Sequence, residues 1–200
     1  MRCSSTVGVN IGVLALQGNV SEHIHAFRQA LTGMGLAESS RVDTLRHPDE
    51  IGALDAIAIP GGESTTISRL IIKNRMYDPL ASFSGGIFAT CAGMVLMATG
   101  VDDPRVATLG LMEMDVTRNA FGRQKESFEA DIQIKGLDKP FHALFIRAPV
   151  ATRTGPAVSV TGRIDAGFVA LEQGKHMALA FHPELGNDYR LHERFIKNLI

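Results

Sequence analysis

Residues 85–100 read GGIFATCAGMVLMATG. Two glycines open a short apolar run, Cys91 ends it, and small residues follow. A continuous apolar run of this length suits a strand buried on both faces, and the stretch after it suits a helix. The segment therefore predicts a strand over 85–90, a turn at Cys91, and a small-residue helix over 92–100 that stops at Gly100.

The same grammar recurs on the N-terminal side. IGVLAL (11–16) predicts a buried strand, and NVSEHIHAFRQALTGMG a helix. Asn19 with Glu22 three residues on has the pattern of a capping box, Ile24, Phe27 and Leu31 recur at helical spacing, and Gly33 and Gly35 end the run. VDTLRH (42–47) and DAIAIP (55–60) predict two more strands. STTISRLIIKN (64–74) predicts a helix that starts at Ser64 or Thr65. Strands alternating with helices imply crossover connections and a parallel sheet covered on both sides.

The second half changes character. Segments 108–118, 127–136, 142–149, 157–162, 168–174 and 176–183 are strand-like with few helix signals between them, which predicts hairpins and antiparallel pairing. Residues 186–200 predict a closing amphipathic helix with Leu191, Phe195 and Leu199 on one face. The expected fold is α/β: a mostly parallel central sheet flanked by helices on both faces, with some antiparallel strands in the C-terminal half. No repeat or linker interrupts it, so residues 11–200 are expected to form a single domain after a polar lead-in over 1–10.

The bulk numbers narrow the function classes. The 200 residues carry 20 Lys and Arg against 21 Asp and Glu, a formal charge of -1. Nucleic-acid binders show a basic excess or stripe, so no nucleic-acid partner is expected. No apolar stretch reaches the ~18 residues of a membrane span, so no membrane association is expected. Cys3 and Cys91 are the two cysteines. So few argue against a disulfide framework and for a reducing, cytoplasmic setting. They lack Cys-x-x-Cys spacing, and His23 and His25 diverge on a helix, so no metal site is expected.

Three stretches can carry chemistry. Cys91 lies at a strand-to-helix turn, where a side chain projects from the carboxyl edge of the sheet. The sequence Ala89-Thr90-Cys91-Ala92-Gly93 is a nucleophile elbow with alanine at the first glycine position. A helix start also favours the thiolate. The other reading is a buried, inert thiol. His182 and Glu184, in AFHPEL (180–185), sit two apart at a strand end. Strand alternation would put them on one side, where the imidazole could take a thiol proton and the carboxylate orient the ring. Alone, such a pair is more often a strand-end His beside a solvated Glu, and it gains weight here from the strand-end Cys91. In IPGGESTT (59–66), two glycines after a strand let the backbone turn sharply and offer N–H groups to an oxyanion alongside the Ala92 N–H. A plain turn fits these residues as well, but the Gly-Lys-Ser/Thr ending of a phosphate loop is absent.

Together and in this order, these stretches resemble the class I, triad-type glutamine amidotransferases, and among them the glutaminase subunits of pyridoxal 5'-phosphate synthases. GVLALQGNVSEHIHA, IPGGESTT, TCAGM, RNAFGRQKESFEAD, FIRAP and FHPEL carry the resemblance over nearly the whole chain. RNAFGRQ and FIRAP discriminate most. Ala89 and the extra N-terminal residues depart from the pattern.

The resemblance implies a glutaminase that converts L-glutamine to L-glutamate and ammonia without metal or organic cofactor. Cys91 would be the nucleophile, His182 the base and then the acid, and Glu184 the orienting carboxylate. Gly62, Glu63, Ser64, Arg118, Ile146 and Arg147 would hold glutamine. Gln17, Gly62 and Ala92 would organise the oxyanion site. The implied partner is a synthase subunit that receives the ammonia and switches the glutaminase on, with the surface around residues 19–25 as a contact. Rival readings are a glutaminase subunit for another pathway such as histidine biosynthesis, a cysteine hydrolase or peptidase on a related sheet, and a binding module with a degraded site.

Overall fold

The computed structural model describes residues 8–121 and 127–200. Cys3 and residues 122–126, which fall within the RNAFGRQKESFEAD stretch, lie outside the described residues.

The chain opens with β1 (Asn10–Leu14), α1 (Val20–Gly33), β2 (Arg41–Leu45) and β3 (Ala56–Ile59). It continues with α2 (Ser64–Lys73), α3 (Tyr77–Ala81), β4 (Gly86–Thr90) and α4 (Ala92–Met97). The strands β5 (Ala98–Val101), β6 (Met112–Thr117), β7 (Ser127–Ile132), β8 (Phe141–Ile146) and β9 (Val150–Thr154) follow. Then come β10 (Ser159–Ile164), β11 (Gly167–Gln173), β12 (His176–Leu179) and α5 (Arg190–Lys197). The central sheet has the order β2-β1-β3-β4-β12-β11-β9-β6-β5, with β10 paired to β11, while β7 and β8 form a separate hairpin sheet.

The first five strands of that order run parallel. From β11 onward the pairing turns antiparallel, apart from the parallel edge pair β5–β6. This is the mixed sheet expected from the sequence. The crossover from β1 to β2 runs toward one edge and that from β3 to β4 toward the other. Right-handed connections therefore put α1 and α2 on opposite faces. α1 packs with α5, and α2 with α4. Strands β3 and β4 are buried at every residue, which is why they read as unbroken apolar runs. Strands β6 and β8 alternate buried positions with half-buried or exposed ones because one face is less covered.

Some boundaries differ from the sequence reading, each for a physical reason. The helix over 92–100 ends at Met97, and the chain continues as β5. The carbonyls of Leu96 and Met97 are taken by the amides of Leu109 and Leu111, at 2.7 and 3.0 Å, so no further helical turn closes. Asn19 stands at the N-cap of α1 but makes no side-chain cap bond. Its amide turns instead toward Glu184 Oε1 at 3.5 Å, while Glu22 Oε2 accepts from Ser21 Oγ. α2 is capped by Glu63, whose carboxylate accepts the Thr66 N–H at 2.8 Å, rather than by Ser64 or Thr65. Strand β9 falls between two segments read as strands and was not expected. Val9 is buried and β1 starts at Asn10, so the core reaches into the lead-in. The closing helix is shorter than 186–200 and leaves Leu199 beyond its end.

Candidate active site

Four neighbouring parallel strands, β1, β3, β4 and β12, end on one edge of the sheet. Gln17, Gly61, Cys91 and His182 follow them within three residues. Residues spread over 165 positions thus meet above one strand edge, where open α/β sheets bind ligands.

Cys91 joins β4 to α4 in a conformation few L-residues adopt, with φ 48° and ψ -106°. Such strain persists where the surroundings over-determine it. Two contacts hold it here. The Cys91 N–H donates to Leu179 O at 2.8 Å. Gly93 brings α4 so close to β3 that a Cβ there would stand 2.3 Å from Ile59 O. Ala89, buried in β4, is accommodated, and the elbow forms with alanine at that position. The thiol points toward the Ile146 carbonyl, 3.7 Å away.

His182 and Glu184 are joined by a short turn rather than by strand alternation. β12 ends at Leu179, and Pro183–Leu185 form a single 3-10 turn. That turn brings Glu184 Oε1 within 2.7 Å of His182 Nδ1. A Cβ on Gly61 would stand 2.4 Å from His182 Cε1 and 3.2 Å from Cys91 Cβ, so imidazole and cysteine crowd the same glycine. Burial alone would lower the His182 pKa. The adjoining Cys91 and the hydrogen-bonded Glu184 carboxylate outweigh it and push it up to about 10. Burial would raise the Glu184 carboxyl, but the flanking His23 and His182 rings hold it down at about 2. His23 is itself pushed down by burial and stays neutral.

A cavity of about 290 Å³ opens above these groups, at the small end of the range for ligand sites. Of the residues expected to bind or react, Cys91, His182, Gly62, Glu63, Ser64, Ala92, Arg118, Ile146 and Arg147 line it. Glu184 stands behind His182. Gln17 stands behind the glycine loop, its Oε1 accepting the Glu63 N–H at 3.1 Å. Arg118 is already paired, with Glu63 Oε1 at 2.8 Å and with Asp103 Oδ2. Burial would raise the Glu63 carboxyl, but hydrogen bonds from Thr65 and Thr66 hold it at about 2. Among the described residues no group of three or more His, Cys, Asp or Glu could hold a metal ion, and no helix is long and apolar enough to cross a membrane.

Sequence reasoning passed over several residues of this site. Asp103 gave no signal, and Asn119 appeared only inside the RNAFGRQ stretch, with no role assigned to it. His23 was visible only as half of a His-x-His pair, yet it is wholly buried and cannot belong to the contact surface expected over residues 19–25. Its position with Ala26, Phe27, Ala30 and Leu31 makes it a polar residue on the apolar stripe of α1, and that pattern was the available clue. Among the described residues, Cys91, Asn119 and Arg147 are three of the four non-glycine positions with positive φ, and all three line the cavity.

Known proteins resemble this chain over nearly its whole length. A sequence model of the SNO glutamine amidotransferase family matches residues 13–200. The pyridoxal 5'-phosphate synthase subunit PdxT of Methanoregula boonei is 63% identical over 192 residues, 96% of this chain and 99% of that one. PdxT of Methanosphaerula palustris is 63% identical over 191 residues, 96% of this chain and 97% of its own. A crystal structure of a glutamine amidotransferase superposes with a TM-score of 0.83 at 41% identity, covering 94% of this chain and 98% of the other.

Proposed function

This chain belongs to the SNO glutamine amidotransferase family, and from that premise we propose that it is the glutaminase subunit of a pyridoxal 5'-phosphate synthase, with Cys91, His182 and Glu184 as its catalytic triad. The observation that carries the triad is the contact order in the buried floor: cysteine beside imidazole over Gly61, and imidazole bonded to carboxylate at 2.7 Å.

The chemistry follows from that order. The Cys91 thiolate adds to the side-chain amide carbon of glutamine. The resulting oxyanion is held by the N–H groups of Gly62 and Ala92. The His182 imidazolium gives its proton to the leaving nitrogen, the C–N bond breaks, and ammonia departs from a thioester. A water then gives a proton to His182 and adds to the thioester carbon. Collapse expels the sulfur, and glutamate leaves. Glu184 holds the ring orientation throughout and stays ionised. In the recognition wall, Arg118 and Arg147 offer guanidinium groups to the substrate α-carboxylate. Ser64, Glu63 and the backbone near Ile146 fix its remaining polar groups.

Free ammonia is protonated in water and lost as a nucleophile, so the reaction calls for a partner that takes it directly. PdxT relatives are named as subunits of a synthase, which supports a second, synthase subunit as that partner. The exposed part of residues 19–25, beside the cavity edge, remains the expected contact. Binding there would order the Gly61-Gly62 loop through Asn19 and Gln17.

The test is glutamate release from L-glutamine, measured with and without the synthase subunit. Activity should be low alone, rise on addition of the partner, and disappear in Cys91→Ala, by about 10⁴-fold or more, while that variant keeps the wild-type unfolding temperature. Turnover that survives in Cys91→Ala would exclude the triad. Equal rates with and without the partner would exclude the activation.

A further inference from the structure

Behind the triad runs a line of buried polar groups that the mechanism above leaves unused. His23, from α1, has no exposed surface. Its Nε2 lies 3.0 Å from Thr90 Oγ1 and 3.5 Å from Glu184 Oε1. Thr90 Oγ1 in turn accepts the Gly61 N–H at 3.1 Å. Gly61 is the residue over which His182 and Cys91 crowd, and it precedes the Gly62 N–H assigned to the oxyanion. One imidazole nitrogen therefore borders both the triad carboxylate and the hydroxyl that anchors the glycine loop.

The ring's hydrogen can be placed by elimination. His23 Nδ1 has no hydrogen-bond partner among the described residues. A hydrogen on Nε2 faces two acceptors, the Glu184 carboxylate and the Thr90 oxygen, and leaves a bare lone pair at Nδ1. The other tautomer would bury an unpaired N–H and turn a lone pair toward a carboxylate, which is the costlier arrangement. His23 also packs edge-on against Phe88 of β4, with ring centroids 6.2 Å apart, so the imidazole plane is set by the core.

We propose that His23 is a positioning residue for glutamine hydrolysis, which its Nε2–H serves by aligning Glu184 behind His182 and, through Thr90, the Gly61 end of the oxyanion loop. The proposal rests on the glutaminase reading. It makes the acid end of the triad and the oxyanion loop one mechanical unit, so that a shift in either is felt by the other. A buried network of this kind has coupled energetics, since each bond fixes the geometry of the next.

Steady-state glutaminase kinetics of His23→Leu, His23→Gln, Thr90→Val and the double variant His23→Gln/Thr90→Val, assayed with the synthase subunit and alongside thermal unfolding, test it. His23→Leu should lower kcat by about 10- to 100-fold with KM changed by less than about 3-fold. His23→Gln puts an amide N–H near the place of Nε2 and should recover most of that loss, which a purely space-filling role would not predict. Thr90→Val should lower kcat by about 10-fold, and in the double variant the two effects should combine to less than their product. A His23→Leu protein with wild-type kcat overturns the proposal. So does a folded His23→Gln protein as impaired as His23→Leu. If His23→Leu does not fold, the Gln and Val variants decide: coupling supports the unit, and independence overturns it. Wild-type protein that releases no glutamate would sink the glutaminase reading, and this one with it. Normal wild-type turnover with indifferent His23 and Thr90 variants would sink this one alone.

Discussion

On the floor of the cavity, Cys91, His182 and Glu184 are 7%, 5% and 4% exposed. On its wall, the Arg118 and Glu63 side chains are 18% and 43% exposed and bind each other. The same kinds of charged group behave differently in these two places. In the floor water is excluded, so the imidazole–carboxylate contact is strong and single-valued. It sets the protonation of both partners and leaves little freedom to rearrange. In the wall solvent competes, an ion pair is worth about 1 kcal/mol or less, and partners can be exchanged. Arg118 is held by Glu63 and Asp103 in the free chain, and on the proposed function an incoming carboxylate would replace them. On the proposed function, the floor serves the transition state and the wall the substrate.

That division can be tested from the strongest effect downward. Glu184→Gln keeps the shape of the floor but removes its charge, and should lower kcat by about 10³-fold with KM little changed. A loss confined to KM would erase the distinction. Gly61→Ala puts a methyl where His182 Cε1 stands 2.4 Å away and should displace the ring. About 10²-fold lower kcat is expected, with a crystal structure showing the imidazole moved and the elbow intact. Arg118→Gln belongs to the wall and should raise KM for glutamine by about 10-fold while kcat stays within about 3-fold. A collapse of kcat would place Arg118 in the floor instead.

The smallest effect is in stability against pH. His182 is raised from an ordinary 6.5 to about 10, so its contribution is complete below about pH 6.5 and lost as pH climbs through 10. Glu184 is depressed from 4.5 to about 2, so its share is present above about pH 4.5 and lost as pH falls toward 2. Calorimetry should show the wild-type Tm falling between pH 7 and 10 more steeply than that of His182→Gln. Parallel curves would mean the floor pair does not set the linkage.

Much of the site was legible because each piece is local. An apolar run that ends in Gly61-Gly62 or in Cys91 reads as a strand with a reactive turn wherever it lies in the chain. Cys91, His182 and Glu184 came from such pieces, taken together with the family resemblance, while Arg118 and Arg147 came from the resemblance alone. The route by which His182 reaches Glu184 was misread, because a proline turn and a continuing strand both bring residues two apart to one side.

The amino-acid order thus determined the alternation of strands and helices, the elbow, and the chemical inventory of the cavity, since burial period and turn chemistry act between near neighbours. Only the folded chain decided that α4 would yield to β5, that Asn19 would leave its own helix end for Glu184, and that His23 would stand against Thr90 and the triad. In each case a local preference worth about 1 kcal/mol met partners far along the chain. Such partners become available only when the sheet brings its strand ends to one edge.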